Sequence, residues 1–211
     1  MTKAESYLRR TVRRALGAAD RLAFPEAVPT SEHWQRLVLN DAVNEHIASL
    51  DPPRRTAAEI SGDTHARKPW RAYSNLAYPA FDLCAPVERP AEFDVVICEQ
   101  VLEHVVDPYA AAANLRELCT AGGHVIVSTP FLVKVHELAL ADIRDYWRFT
   151  PRGLRLLLER AGLEVDTIGS WGNRECVVGN FNRWSGRRWW HSLRDEPDFP
   201  LQVWAFARRS R

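Results

Sequence analysis

Two largely apolar runs, Phe93–Cys98 (FDVVIC) and His124–Ser128 (HVIVS), constrain this chain more than any other feature. Neither alternates apolar with polar residues, as a strand with one wet face would. Both therefore read as strands covered on both faces. Between them lie a helical stretch, Pro108–Cys119, and the turn Ala121-Gly122-Gly123. Strand, helix, turn, strand is the unit of a parallel sheet wrapped in helices. Five more short runs extend the pattern: Thr56–Ile60, the weaker Arg71–Ala77 and Phe81–Cys84, then Leu163–Ile168 and Leu201–Ala207. Thr150-Pro151 reads as a helix cap and first turn, and Gly162 as the residue that ends that helix. The expected fold class is α/β: a doubly wound, mostly parallel seven-stranded sheet. Ligands of such sheets bind beyond the carboxyl ends of the strands.

Residues 1–53 read as an N-terminal helical cap. Tyr7, Leu8, Val12, Leu16 and Leu22 recur at helical spacing among arginines, and a second helix carries Trp34, Leu37, Val38, Val43 and Ile47 up to Asp51-Pro52-Pro53. The whole of 1–211 is expected to be one domain. After the cap come a core over 54–170, a Trp/Arg-rich insertion over 171–200 and a terminal strand over 201–211. With a net charge of +1, no overall field draws the chain to nucleic acid. Its four cysteines stand far apart, which reads as reduced thiols in a cytoplasmic protein. No apolar run is long enough to span a membrane, and no secretory leader is evident. The basic N-terminal helix could touch a membrane surface, but packing on the core is the simpler reading.

The stretch FDVVICEQVLEHVVDPYAAAANLRELCTAGGHVIVSTPF, residues 93–131, resembles the central motif of class I S-adenosylmethionine-dependent methyltransferases of the broad type-11 kind. The resemblance runs on through Asp145-Tyr146-Trp147-Arg148-Phe149-Thr150 to Ala161-Gly162-Leu163, and rests on the order and spacing of several motifs. It implies the Rossmann-like methyltransferase fold, with residues 54–170 as the cofactor-binding core and S-adenosyl-L-methionine as the cofactor. It also implies that Ser61-Gly62-Asp63 lies under the cofactor's methionine part, where glycine permits close backbone approach. The chain departs from the family here: the glycine-rich loop is reduced to Gly62, and the helix expected after it contains Pro69. Glu59 either contacts the amino acid end of the cofactor or is a solvated strand-end carboxylate. Asp82, twelve residues before Asp94, matches the family acid that meets the adenine amino group; its other reading is a turn-capping aspartate. Leu83 flanks the adenine ring on this reading. No acid matches the one that grips the ribose, because Leu76-Ala77-Tyr78 stands there. Glu99-Gln100 ends the best strand, where the transferred methyl would lie. Glu103 and His104 read as structural.

On the acceptor side, a hydroxyl is a weak nucleophile and needs a base close by. His136 follows the carboxyl end of a strand and is the first candidate. Asp142 and Asp145 are alternative bases, or orient the histidine, or join it in holding a divalent metal such as Mg2+. The metal ligand set stays undetermined. The tryptophans and arginines of 171–200 form either an acceptor platform or a lid or homodimer contact.

Chains with EISG and DYWRFTP resemble methyltransferases that accompany bacterial polysaccharide synthesis. The resemblance therefore implies an O-methyltransferase acting on a saccharide hydroxyl, a mannoside being one concrete case. A small natural-product acceptor is the rival. A non-catalytic binding protein built on the cofactor fold is the alternative from outside the enzymes. The expected partner is a small-molecule or oligosaccharide acceptor.

Overall fold

The computed structural model describes residues 33–137, 143–182, 186–187 and 191–211. A short 3-10 turn, Trp34–Arg36, leads into α1 (Leu37–Ser49). Then follow β1 (Thr56–Ile60), β2 (Ala72–Leu76), β3 (Phe93–Glu99), α2 (Pro108–Leu118), β4 (Cys119–Pro130), α3 (Pro151–Arg160), β5 (Leu163–Trp171), α4 (Arg174–Asn182) and β6 (Gln202–Arg209).

Among the described residues the sheet has six strands, in the order β2-β1-β3-β4-β6-β5. All pairs are parallel except those of β6, which runs antiparallel to both β4 and β5. Residues Ala58, Val96, Cys98, Val125 and Val127 face one side, against α2 and α3; Ala57, Val95, Ile97 and Ile126 face the other, against Leu39, Val43 and Ile47 of α1. The two sets alternate along each strand, and both are fully buried, which is why the runs read as continuously apolar.

Helix boundaries follow local chemistry. The Asp107 carboxylate accepts from Tyr109 N and Ala110 N with Pro108 at the first helical position, and Thr150 Oγ1 accepts from Gly153 N with Pro151 in the same place. Gly162 takes φ +81° just past α3.

Two expectations are corrected. Phe81–Cys84 is not a strand: Asp82 caps a turn through Cys84 N, and Pro79, Pro86 and Pro90 deny the neighbourhood the donors a ladder needs. No helix follows Gly62 either. The link from β1 to β2 is closed by consecutive turns, with Ala66 N donating to Asp63 O and Lys68 N to His65 O.

The N-terminal helix expected before residue 33 lies outside the described residues, as do Trp184, Trp189, Trp190, Arg183 and Arg188. Among the described residues no helix is long and apolar enough to cross a membrane.

Candidate functional site

Because β1, β2, β3 and β4 run parallel, their carboxyl ends gather at one edge, where antiparallel β6 contributes its first residue, Gln202. The chain leaves β1 through Ser61 (φ 53°) and β3 through Gln100 (φ 56°), both in the left-handed region that non-glycine residues seldom adopt. Gln100 is held there: its N–H donates to Ser128 O, and its Nε2 donates to Ser128 Oγ (3.2 Å) and Gln202 Oε1 (3.0 Å).

Glu59 is 2% exposed. Its Oε1 accepts from Thr64 N (3.0 Å), and its Oε2 accepts from His65 N (3.0 Å) and the Tyr73 hydroxyl (2.8 Å). The solvated-glutamate reading is therefore overturned: Glu59 stands in place of a helix as the anchor of the loop. Burial and this carboxylate together raise the Tyr73 phenol far above its ordinary range. Gly62 is needed for space here, since a Cβ built on it would lie 2.8 Å from Glu59 Oε1.

Beneath the loop, His65 Nε2 lies 2.7 Å from Glu99 Oε2. Arg36 approaches Glu99 Oε1 at 3.7 Å, and Ser128 Oγ donates to it at 3.2 Å. Burial alone would raise the Glu99 carboxyl, but His65, Arg36 and Ser128 outweigh it and hold it below its ordinary value. The spacing of the sequence shows nothing of His65; it sits in a loop and becomes visible only when the loop folds over β3.

Asp82 is exposed and spends Oδ1 on its own turn. Leu83 is 4% exposed, packs in the core, and has its carbonyl held by Asn114 Nδ2. A cleft of about 250 Å3 runs past Leu76, Phe81, Asp82, Phe93 and Leu118. It runs from Leu76, the last residue of β2, to the first residue of β3 and the last of α2.

The second polar group lies just past β3 and β4. Glu103 is fully buried; its Oε2 accepts from Thr129 Oγ1 (3.4 Å), while its Oε1 has no hydrogen-bond partner. Burial pushes its carboxyl up to about 8 against the pull of Arg148 and Thr129. His104 Nδ1 lies 2.7 Å from Arg144 O, and its ring meets that of His136 edge to face, centroids 5.1 Å apart. His136 Nδ1 is 3.1 Å from Asp145 Oδ2, which also accepts from His136 N at 2.8 Å. Arg148 grips both oxygens of Asp145. Burial would raise Asp145, but Arg148 and His136 leave it below its ordinary value. Burial lowers His136, with Asp145 opposing.

The DYWRFTP segment thus acts as a strap: Asp145 orients His136, Tyr146 N and Trp147 N donate to Glu103 O, and the Trp147 indole donates to Val105 O (2.9 Å). Asp142 lies outside the described residues. Glu103 and His104, read from sequence as structural, stand beside His136, and their donor atoms fall within 4.8 Å of one another. Asp145, doubly engaged by Arg148, is a poor candidate for a metal ligand.

Of the insertion's described residues, Trp171 and Cys176 pack in the core, while Val178 and Phe181 stay exposed. Trp171 is 2% exposed and its indole donates to Leu193 O, while Trp34 donates to Ser192 O and stacks on His191. Trp171 is therefore no acceptor platform.

Residues 17–168 match a family described as a methyltransferase domain. Among curated relatives, the ubiquinone biosynthesis O-methyltransferase of Methylococcus capsulatus is 41% identical over 66 residues, 31% of this chain and 28% of that protein. The protein of the same description from Thiobacillus denitrificans is 35% identical over 93 residues, 38% and 40% of the two chains. The match thus spans well under half the length of these relatives. Among solved structures, the Burkholderia thailandensis 1,6-didemethyltoxoflavin-N1-methyltransferase, with bound 1,6-didemethyltoxoflavin and S-adenosylhomocysteine, superposes with a TM-score of 0.56 at 12% identity, covering 100% of this chain and 92% of that one. At that identity the likeness speaks for the fold alone.

Proposed function

The chain belongs to the methyltransferase-domain family, and from that premise we propose that it moves the methyl group of S-adenosyl-L-methionine to a hydroxyl oxygen of a saccharide or similar small acceptor. The observation that carries this reading is the His136–Asp145 pair, 3.1 Å apart at the carboxyl edge of the sheet. Nδ1 faces the Lys134 carbonyl at 3.3 Å and the Asp145 carboxylate at 3.1 Å, so it carries the proton and Nε2 the basic lone pair. The acceptor oxygen attacks the methyl carbon in line, the carbon–sulfur bond breaks, and its electron pair stays on sulfur to give S-adenosylhomocysteine. The hydroxyl proton passes to His136. Ser61, Gly62, Gln100 and the Glu59-anchored loop would border the cofactor, with Asp82 at its adenine end.

The test is release of S-adenosylhomocysteine from a panel of mannosides, other sugars and phenols, with binding of cofactor and product followed by calorimetry. Turnover on a sugar that is lost in His136→Ala, with cofactor affinity kept, supports the reading. Undiminished turnover in that variant removes His136 from the reaction. The names of the relatives favour a second acceptor class, an intermediate of ubiquinone biosynthesis, which the same panel separates. One observation favours a non-catalytic binder: Glu59 takes the Thr64 and His65 amides that a ligand would otherwise use. Absence of cofactor binding at high micromolar concentration would establish that alternative.

A further inference from the structure

We propose that Glu103, His104 and His136 form a binding site for a divalent transition-metal ion of the zinc class. The first ground is convergence: one ligand atom from each of the three lies within 4.8 Å of the other two. A metal–ligand distance of about 2.1 Å allows donors to sit roughly 3 to 4 Å apart, so closing on an ion needs a shift of about 1 Å.

The second ground is the tautomer of each imidazole. His104 Nδ1 faces the Arg144 carbonyl at 2.7 Å, and a carbonyl only accepts, so that nitrogen carries the proton. His136 Nδ1 faces the Asp145 carboxylate at 3.1 Å and the Lys134 carbonyl at 3.3 Å, with the same result. Both Nε2 atoms then carry the lone pairs. A ring nitrogen donating to a carboxylate or carbonyl while its mate binds metal is the usual way a protein aims an imidazole ligand.

The third ground is Glu103 Oε1. It is buried with no hydrogen-bond partner, and it lies 3.8 Å from His104 Nε2. A fully buried carboxyl oxygen without a hydrogen-bond partner is costly to keep, and a cation in front of it, taking the place of the carboxyl proton, removes that cost. Its other oxygen is already held by Thr129, so the carboxylate is orientated as the two rings are.

Two imidazoles and one carboxylate suit zinc, iron or manganese better than magnesium, which prefers six oxygens and keeps its water. Three protein donors leave a coordination position open. This inference stands on the geometry of the cluster and touches the proposed reaction only in its consequence: a bound ion occupies the His136 Nε2 that would accept the acceptor's proton. Ion occupancy and proton acceptance at that nitrogen exclude each other.

The test needs neither cofactor nor acceptor, so its failure is separable from failure of the methyl-transfer reading. Chelator-stripped protein is titrated with Zn2+ against a metallochromic dye, and with Co2+ while the visible absorption of a low-coordinate site is followed. We expect one ion per chain at micromolar concentration or tighter, weakened at least about 10-fold in His104→Ala and about 10- to 100-fold in Asp145→Asn. His124→Ala, remote from the cluster, should bind as the parent does. Glu103→Gln serves as a second variant should His104→Ala fail to fold, as judged by circular dichroism. No binding by the parent protein at 100-fold higher concentration overturns the proposal, as does binding unchanged in both His104→Ala and Glu103→Gln.

Discussion

Replacing Gly62 by alanine tests what the shortened loop depends on. Its backbone is not in the left-handed region, so alanine adds no conformational strain there; the added Cβ meets Glu59 Oε1 at 2.8 Å and Cδ at 3.4 Å. Ordinary contact requires that oxygen to retreat about 0.6 Å. It cannot do so freely, because the carboxylate is held from three directions by Thr64 N, His65 N and Tyr73. Losing one hydrogen bond to a charged acceptor costs about 1.5–3 kcal/mol. Gly62→Ala should therefore lower stability by about 1–3 kcal/mol and the melting temperature by about 3 to 8 °C. Urea titration followed by circular dichroism measures it, and calorimetry with S-adenosylmethionine reads the accompanying loss of affinity. The mechanism is tested by a double-mutant cycle. In a Glu59→Ala background the clash is gone, and the further cost of Gly62→Ala should fall below about 0.5 kcal/mol. An equal cost in both backgrounds, or no cost in either, refutes the idea that Gly62 makes room for Glu59.

Three other perturbations follow from the same geometry. Asp145→Asn removes the negative charge beside His136 Nδ1 and opposite Arg148; turnover should drop about 100-fold with cofactor affinity little changed, and parallel losses of both would refute the orienting role. His65→Ala leaves Glu99 buried with only Arg36 and Ser128, at a cost of about 3 kcal/mol at pH 7. Because the folded Glu99 carboxyl titrates below its ordinary 4.5, its stabilisation is present above pH 4.5 and lost as pH falls through the lower folded value. Urea titrations at pH 7 and pH 4 should show that cost shrinking in acid; the same cost at both refutes the pairing. Asp107→Ala uncaps α2, where the carboxylate accepts from two amides; a loss of about 1–2 kcal/mol is expected by urea titration, and an unchanged midpoint contradicts it.

The buried strands were legible because burial on both faces leaves an unbroken apolar run, and α3 because Thr150, Pro151 and Gly162 each act within one turn of chain. FDLC has the composition of a strand, while the deciding interaction, Cys84 N donating to Asp82 Oδ1, is a turn that the same residues form equally well. His136 was visible as the histidine just past a strand end, and Asp145 lies nine residues on. Glu103 and His104 were not, since they join His136 only when β3 and β4 pair side by side and the strap crosses both exits. His65 is hidden for the same reason: it lies in a loop, and its partner Glu99 is 34 residues away at the end of β3.

The two halves of the carboxyl edge are built on one device, a buried carboxylate that orders a loop no helix supports. Glu59 gathers two amides and a phenol to close the β1–β2 link; Asp145 gathers a backbone amide, an imidazole and a guanidinium to fix the strap. In each case a charge is removed from water, and hydrogen bonds that fix a single geometry offset that cost. A helix N-terminus would have supplied free amides and a positive dipole end for an anionic ligand group. The Glu59 loop directs at least two of its amides inward instead. On the proposed reading, recognition of a cofactor at this loop would therefore lean on apolar contact and side chains more than on backbone donors. On the same reading, the burden of specificity would shift to the other half of the edge, where Glu103, His104 and His136 converge.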